Sequence, residues 1–532
     1  MITPLILQKS LTQAQRSEKG LIFIPSLLKK FPGAEVFLVG GLIRDWLIKR
    51  PSKDWDFVVR GVPATKLAAF LKTQGTVNLV GERFGVFKFQ PKTDPSTTLR
   101  VTKKITPDDK KTIFDIALPR TEHALGTGGY RDVETQSDYQ LPIEQDLARR
   151  DFTINALALK LSVKNKTIIA TELIDTFDGL KDLKNKIIKT VGEPQERFAE
   201  DYSRLLRALR FSATLNFTIE EKTWGALKKQ ITEINKETKM GGEIKRLVPY
   251  EIVAREFIKS LMKNPVKTLD LWLESGAFKQ TMPEILTMQN CPQPPQFHAE
   301  GDVWTHSKIA LSVLQTPGFK KFIKTLPLHL QTEPHLTPEL VVGVLFHDLG
   351  KPYTIKTPEK DGTDRIRTDE HDSVGAELIK KIGSRLKFSS VEGYSCDIDK
   401  IAWMIQRHLL TVHGDPMKFT NRTIEKNFFN PQVPGADLLK LIYCDQMASF
   451  VGGVPQLGSL PILVKRIKLL LKNLKQKKNL PPPLLDGDEI MKILKIKPSG
   501  QVGEVIEKLR EEQLSGKIKT KKQAQKFITS KK

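Results

Sequence analysis

The sequence predicts a multidomain α+β protein, with a mixed sheet and helices at the front and an all-α remainder. Three observations carry this prediction. Short strand-type runs, "VFLVGG", "WDFVV", "VFKFQ" and "TIFDIAL", fall among glycine loops in the first ~160 residues, with one helix-like stretch beside them. From about Asp175 to Met288 the apolar residues recur at spacings of three and four, as in "ERFAEDYSRLLRALRFSATL" and "VPYEIVAREFIKSLMKN". A second helical block, His298 to Phe450, carries most of the histidines.

Each segment follows from a shift in composition. The 532 residues leave room for three or four domains at ~150 residues each. They divide into a head at 1–160, a helical neck at 161–290, a histidine-bearing domain at 297–450 and a tail at 451–532. "CPQPPQ", Cys291 to Gln296, reads as a linker. The tail carries 19 Lys and Arg against 7 Asp and Glu, a net of +12 and half of the chain's +24. Its pattern is a basic helix, "KRIKLLLKNLKQKK", a proline break and a further small helical unit.

Charge narrows the partners. An excess of 85 Lys and Arg over 61 Asp and Glu suits a polyanion, and nucleic acid and an anionic membrane surface both fit. No amphipathic lipid-binding stretch stands out, and the longest apolar run, Leu340 to Phe346, is far short of the ~20 residues of a membrane span. "MITPLILQKSLTQAQ" lacks the apolar core of a signal peptide, and Cys291, Cys396 and Cys444 have neither pairing nor zinc spacing. The expectation is a cytoplasmic protein with no membrane partner.

Two constellations carry chemistry. On a strand, residues two apart share a face, so Asp54 and Asp56 at the start of "WDFVV" could hold divalent cations, with Asp115 of "TIFDIALPRTE" as a third carboxylate. Phosphoryl transfer uses such a cage. The Gly40-Gly41 turn offers bare backbone N–H groups, and Arg44 just after it could meet a phosphate. The plainer reading is two solvated acids at a strand mouth. "LARRDFTINALAL" sets Arg149, Arg150, Asp151 and Asn155 in a segment suited to a buried helix, where charges need partners. "AEDYSRLLRALRF" places Asp201, Arg204 and Arg207 at steps of three on one helical face, a pattern that could read the edge of a base or form an ordinary intrahelical salt bridge. In the second block, His347 and Asp348 end an apolar helix about 100° apart, so both could turn to one ion. Nitrogen and carboxylate together suit Mn, Ni, Fe or Zn.

Six ordered motifs, "LVGGLIRDWL…KDWDFVV", "VGERFGVFKF", "DIALPRTEHALGTGGY", "QDLARRDFTINALAL", "LIDTFDGLKDLKNKIIKTVG" and "EDYSRLLRALRFS", resemble the class II tRNA nucleotidyltransferase and bacterial poly(A) polymerase family over roughly Phe37 to Phe257. The resemblance implies a polymerase β-like head. In it Asp54 and Asp56 bind the catalytic Mg²⁺ ions with Asp115 as third carboxylate, and Gly40, Gly41 and Arg44 hold the triphosphate. Arg150, Asp151 and Asn155 meet sugar and phosphates. Asp201 and Arg204, with Arg207 beside them, face the incoming base, so that protein replaces a template. "HALGTGGYRD" matches the flexible loop tied to the switch to A addition.

The motifs "FHAEGDVWTHSKIA", "LVVGVLFHDLGKP", "DEHDSVGAELI", "IQRHLLTVH" and "LIYCDQMAS" resemble the HD phosphohydrolase superfamily. By that likeness His306, His347, Asp348 and Asp445 are metal ligands, and His371 and His408 are secondary ligands or phosphate contacts. The expected activity is untemplated addition of CMP and AMP from CTP and ATP to the 3′ end of tRNA, with a phosphohydrolase in the HD block. Poly(A) addition, CC-only or A-only addition, and an HD hydrolase with an RNA-binding head remain open. Lys472, Lys475, Lys477 and Lys478 of the tail are expected to grip tRNA phosphates; a solvated surface helix is the other reading. No protein partner is implied.

Overall fold

The computed structural model describes residues 2–52, 54–79, 86–92, 112–124, 127–130, 133–240, 243–475 and 479–530. It divides into two units, Met1–Pro249 and Tyr250–Lys532. The division lies inside the stretch read as a neck.

The first unit is built on one mixed sheet. Its strands are β1 (Glu35–Val39), β2 (Trp55–Arg60), β3 (Gly75–Leu79), β4 (Val86–Pro91) and β5 (Phe114–Ala117), then, after a separate hairpin of β6 (Arg120–Ala124) and β7 (Val133–Ser137), β8 (Ala158–Lys164) and β9 (Thr167–Ile174). The order is β3-β4-β5-β2-β1-β8-β9. Only β2 and β5 pair in parallel; the other neighbours are antiparallel.

The period of two decides what each face does. Trp55, Phe57 and Val59 of β2 point into the larger core, where Phe23, Phe57, Phe89 and Phe114 pack ring against ring. Val58 points the other way, into a smaller core with Phe37, Val39, Ile143 and Leu147. Asp56 therefore stands on the Val58 face, at the end of the smaller core.

Two expectations change here. β8 and β9 carry the sheet to Ile174, so a head ending at residue 160 would cut a strand. "LARRDFTINALAL" is no single helix: the helix Ile143–Ala148 ends before it turns, Phe152 bridges to Thr190, Thr153–Asn155 makes a 3₁₀ turn, and β8 begins at Ala158. Phe152, Ile154, Ala156, Leu157, Ala158 and Leu159 are all buried. The segment's apolar residues are compatible with helix or strand, and the last of them pair with β1 in the sheet.

The second unit is mainly helical among its described residues. Its histidine-bearing part uses the helices Val303–Val313, Pro338–Phe346, His371–Leu386, Ile398–Ile405 and Gly435–Ala448. Asp302 and Thr337 cap the first two by accepting from Thr305 N and Leu340 N. Within "CPQPPQ", Cys291 and Gln293 are buried while Pro292, Pro295 and Gln296 are exposed. The basic helix of the tail spans Leu460–Asn473 and packs Leu463, Ile467, Leu470 and Leu471 inward. The helices Gly487–Leu494, Gly500–Leu514 and Lys521–Thr529 then share a small core of their own. Among the described residues no helix is long and apolar enough to cross a membrane.

Candidate functional site

In the first unit the aspartates are aligned by strand register. Asp56 of β2 lies directly across from Asp115 of β5, and Asp54 is exposed at the mouth of β2. Burial pushes the Asp56 carboxyl up to about 6, with Asp115 and Asp54 adding to it and Arg150 opposing. Burial also raises Asp115, against Lys88, with Asp54 adding to the rise. These carboxylates repel one another, and a cation would relieve that repulsion. Among the described residues, the sets of three or more donors within 4.8 Å of one another all belong to the second unit. The head aspartates thus share a direction without closing on one point.

The phosphate-side residues form a connected lattice. Gly40 has φ +78°, and a Cβ there would stand 3.2 Å from Arg150 Nη1 and 3.3 Å from Asp56 Oδ2. Glycine is required by that left-handed backbone, and it also keeps the space between arginine and aspartate open. Arg44, buried just inside the following helix, donates from Nε to Asp45 Oδ1 at 2.9 Å and from Nη1 to Asn155 Oδ1 at 2.6 Å. Asn155 Nδ2 donates to Asp151 Oδ1 at 3.1 Å, and Arg207 Nε donates to Asp151 Oδ2 at 2.8 Å. Burial alone would raise the Asp151 carboxyl, but Arg207 and Asn155 bring it down to about 2. Arg150 Nη2 donates to Asp146 Oδ2 at 3.2 Å, and Arg149 takes the other oxygen of Asp146. Sequence reasoning missed Asp45 and Asp146, the acids that hold these arginines. The signal was the bare rule that a buried arginine needs an acid.

Asp201 and Arg204 do not pair with each other. Arg204 Nη1 donates to Glu200 Oε2 and to the Arg197 carbonyl, while Asp201 accepts from Ser203 N at 2.9 Å. Burial raises the Asp201 carboxyl. Asp201 is extended between the helices Pro194–Glu200 and Ser203–Leu215, so the three residues do not share one helical face; Arg204 and Arg207 stand on the second helix, and Arg207 reaches Asp151. A Cβ on Gly41 would stand 3.3 Å from Arg44 Nη2. Of "HALGTGGYRD", residues 125–126 and 131–132 lie outside the described residues, as do 80–85 of "VGERFGVFKF".

The second unit brings its histidines and aspartates together. His306 Nε2 is 3.2 Å from His347 Nε2 and 3.1 Å from Asp445 Oδ1. Asp348 Oδ2 lies 3.3 Å from His347 Nε2 and 3.7 Å from His306 Nε2. On its other side, Asp348 Oδ1 lies 3.4 Å from His371 Nε2 and 3.6 Å from His408 Nε2. The opposite nitrogens are all engaged. Nδ1–H of His347, His371 and His408 donates to the carbonyls of Val344, Thr368 and Ile405, and His306 Nδ1 meets Glu300 Oε1 at 2.7 Å. That arrangement turns four Nε2 atoms inward, the preparation a metal-binding imidazole needs. Gly350 lets the loop after Asp348 press on the His371 helix: a Cβ there would come within 2.0 Å of the His371 carbonyl.

Charge balance favours a cation here. Burial would lower the His347 imidazole, yet Asp348 and Asp445 push it up to about 10. The same contacts hold Asp348 and Asp445 well below the usual carboxylate range against their burial. A divalent ion would balance the same carboxylates. Both Asp348 oxygens are buried without a hydrogen bond, and Lys351 Nζ contacts Oδ2 at 2.7 Å as an ion pair only. The donors fit a divalent metal. They open on a cavity of about 630 Å³ whose lining includes Lys351, Arg365, Arg367, His371, His408 and Asp445. Glu300, which orients His306, was quoted in a motif but given no role by sequence reasoning. Lys472 and Lys475 are exposed at the end of the basic helix; Lys477 and Lys478 lie outside the described residues.

Comparison with known proteins follows the same division. Residues 36–189 match the Poly A polymerase head domain family, and residues 324–439 match the HD domain family. The HD match includes His347, Asp348, His371 and His408; His306 and Asp445 lie outside it and are joined to it by the geometry above. The chain is 33% identical to the multifunctional CCA protein of Neisseria meningitidis serogroup A over 66% of this chain and 68% of that protein. It is 28% identical to the A-adding tRNA nucleotidyltransferase of Deinococcus radiodurans over 93% of this chain and 95% of that one. In fold it is similar to a CCA-adding enzyme in its apo form II (TM-score 0.56, 21% identity, 96% of each chain). It is equally similar to the Bacillus stearothermophilus CCA-adding enzyme in complex with CTP (TM-score 0.56, 17% identity, 97% of each chain).

Proposed function

Because the chain belongs to the tRNA nucleotidyltransferase family of the multifunctional CCA proteins, we propose that it adds CMP and AMP, taken from CTP and ATP, to the 3′ end of tRNA without a template. The observation that carries this reading is the register of Asp56 beside Asp115, with Asp54 on the same face and Gly40, Arg44 and Arg150 gathered at its end. Mg²⁺ held by Asp54, Asp56 and Asp115 would supply activation of the attacking 3′-hydroxyl and neutralise charge on the departing pyrophosphate. Arg150 faces Asp56 across the open space at Gly40 and meets the phosphates. Gly41 and Arg44 complete the triphosphate side. Asp151 and Asn155 orient Arg44 and the sugar. Asp201 and Arg204 read the base edge, Arg204 being aimed by Glu200. Arg207 acts through Asp151, as a positioning residue.

The HD block is read as a divalent-metal phosphohydrolase site using His306, His347, Asp348 and Asp445, with Mn, Ni, Fe or Zn as the ion. Arg365 and Arg367 would receive the phosphate of its substrate. Lys472 and Lys475 offer phosphate contacts to the tRNA body, and a tRNA substrate places the work in the cytoplasm. One observation favours a narrower second reading, addition of the terminal A alone: the similarity to the A-adding enzyme spans nearly the whole of both chains. Transcripts of tRNA ending before CC, after C and after CC, each incubated with labelled CTP or ATP and Mg²⁺, separate the two. Incorporation of CMP on the first two together with AMP on the third supports full CCA addition, and labelling of only the CC-ended transcript by ATP supports the narrower one. No incorporation on any transcript overturns both.

A further inference from the structure

The second unit contains another cavity, of about 510 Å³, which shares no lining residue with the cavity at the HD cluster. Two helices line it, each with one repeating stripe. On Pro317–Thr325 the stripe is Gly318, Lys321, Phe322 and Thr325; on Leu460–Asn473 it is Pro461, Val464, Lys465 and Lys468. Both follow the spacing i, i+3, i+4, i+7 that keeps residues on one helical face. Tyr443 of the helix Gly435–Ala448 joins them, stacked on Phe322 with ring centroids 4.2 Å apart. Tyr443 and Asp445 are two residues apart on that helix, about 200° around it, so the cavity lies on the side away from the HD donors. Of these lining residues only Thr325 falls inside the segment that matches the HD domain family.

Two observations define what the cavity takes. Tyr443 is only 6% exposed, yet among the described residues its hydroxyl makes no hydrogen bond. A Cβ on Gly318 would stand 3.2 Å from Tyr443 Oη, so the bare glycine leaves that hydroxyl reachable from the cavity. A buried hydroxyl without a partner is costly, and a ligand oxygen would complete it. Lys321, Lys465 and Lys468 are exposed at the rim, and none of their ammonium groups is in an ion pair or hydrogen bond among the described residues. Charge of one sign around an apolar hollow selects a ligand with an apolar body and an anionic end. A nucleotide fits poorly, because its base edges and sugar hydroxyls would be buried against Leu457, Leu460 and Val464. The Thr325 hydroxyl is already spent on the Phe322 carbonyl, at 2.7 Å.

We propose that this cavity binds a small amphiphilic anion, a carboxylate or phosphate monoester carried on a hydrocarbon chain. The chain lies against Phe322, Leu460 and Val464, and the anionic oxygens accept from Tyr443 Oη–H and from the three lysines. The site is independent of both centres described above.

The test is equilibrium dialysis of the full-length chain against radiolabelled dodecanoate and dodecyl phosphate, each below its micelle concentration, with dodecanol as the uncharged control. One saturable site per chain is expected, with the anions bound more tightly than dodecanol; the tighter of the two anions identifies the head group. Lys321→Gln/Lys465→Gln/Lys468→Gln should weaken the anions roughly tenfold and leave dodecanol unchanged. Tyr443→Phe, which keeps the stacked ring, should weaken them by about fivefold. Arg365→Gln/Arg367→Gln, at the HD cavity, should leave dodecanoate binding as it is. Absence of saturable binding, or a preference for the anions that survives the lysine variant, overturns the proposal. Displacement of dodecanoate by AMP would overturn the choice of an amphiphile over a nucleotide.

Discussion

The two centres of this chain hold their acids in opposite ways. In the head, Asp54 is exposed just before β2, Asp56 is half-buried, and a parallel strand pair aligns Asp56 with Asp115 without the three converging on one point. In the HD block the donors are buried, converge within 4.8 Å and have their outer nitrogens fixed by backbone carbonyls. The first arrangement suits ions that arrive with a nucleotide triphosphate and leave with pyrophosphate. The second suits ions that stay. What surrounds the acids also differs, with Arg44, Arg149, Arg150 and Arg207 ringing the head site while imidazoles ring the other.

The comparison breaks most visibly at the head aspartates. Asp54→Ala/Asp56→Ala should lower CMP and AMP incorporation by on the order of a thousandfold or more, because the developing charge then lacks its ions. The thermal unfolding profile should hardly move, since neither residue packs in a core; a collapsed profile would show the aspartates to be structural.

Base choice comes next in size. Arg204→Ala should relax discrimination against UTP and GTP by roughly 10–100-fold, the loss expected for a hydrogen bond to a base edge. Selectivity that survives intact would assign Arg204 to the Glu200 salt bridge alone.

The lattice behind the head site can be tested through pH. The folded Asp151 carboxyl lies at about 2, below its ordinary value of 3.8. A lowered carboxyl contributes stability that is fully present above pH ~4 and is lost as pH falls toward 2, worth about 2 kcal/mol for a shift of this size. The urea midpoint of the head transition, followed from pH 5 to pH 2, should fall more steeply for the parent than for Asp151→Asn. Parallel curves would remove Asp151 as the anchor of Arg207.

How much of this was legible in the sequence depended on whether the partner was near in the chain. The run at β1 announced itself as a short apolar stretch before glycines, those at β2, β4 and β5 by alternation, and "VGG" and "DWD" by residue type. β8 and β9 did not, although β8 alternates Leu159, Leu161 and Val163 with Lys160, Ser162 and Lys164; β9 buries only Ile168 and gives a weak pattern. The HD ligands were ordered along the chain, yet nothing in that order told which oxygen of Asp348 each imidazole would face. Arg204 with Glu200 lies only four residues apart, across the break between two helices, and could have been read; Arg207 with Asp151, fifty-six residues apart, could not. Nor could Arg44 with Asn155.

The smallest expected effect is at the tail, where the same chain presents charge without a built site. Replacing Lys472, Lys475, Lys477 and Lys478 with Gln should flatten the salt dependence of tRNA binding by roughly 0.7–0.9 in log–log slope for each phosphate that is no longer neutralised. An unchanged slope would leave the helix as solvated surface.

The contrast between the centres is tested most directly by one paired measurement on His347→Ala: labelled nucleotide addition to tRNA and metal-dependent hydrolysis of a cyclic phosphodiester, both with the full-length chain. Two independent centres predict that hydrolysis disappears while addition stays within about twofold of the parent, because the residues assigned to the chemistry of addition belong to the other unit. Loss of both activities by a variant that still folds, or full retention of hydrolysis, would contradict that account.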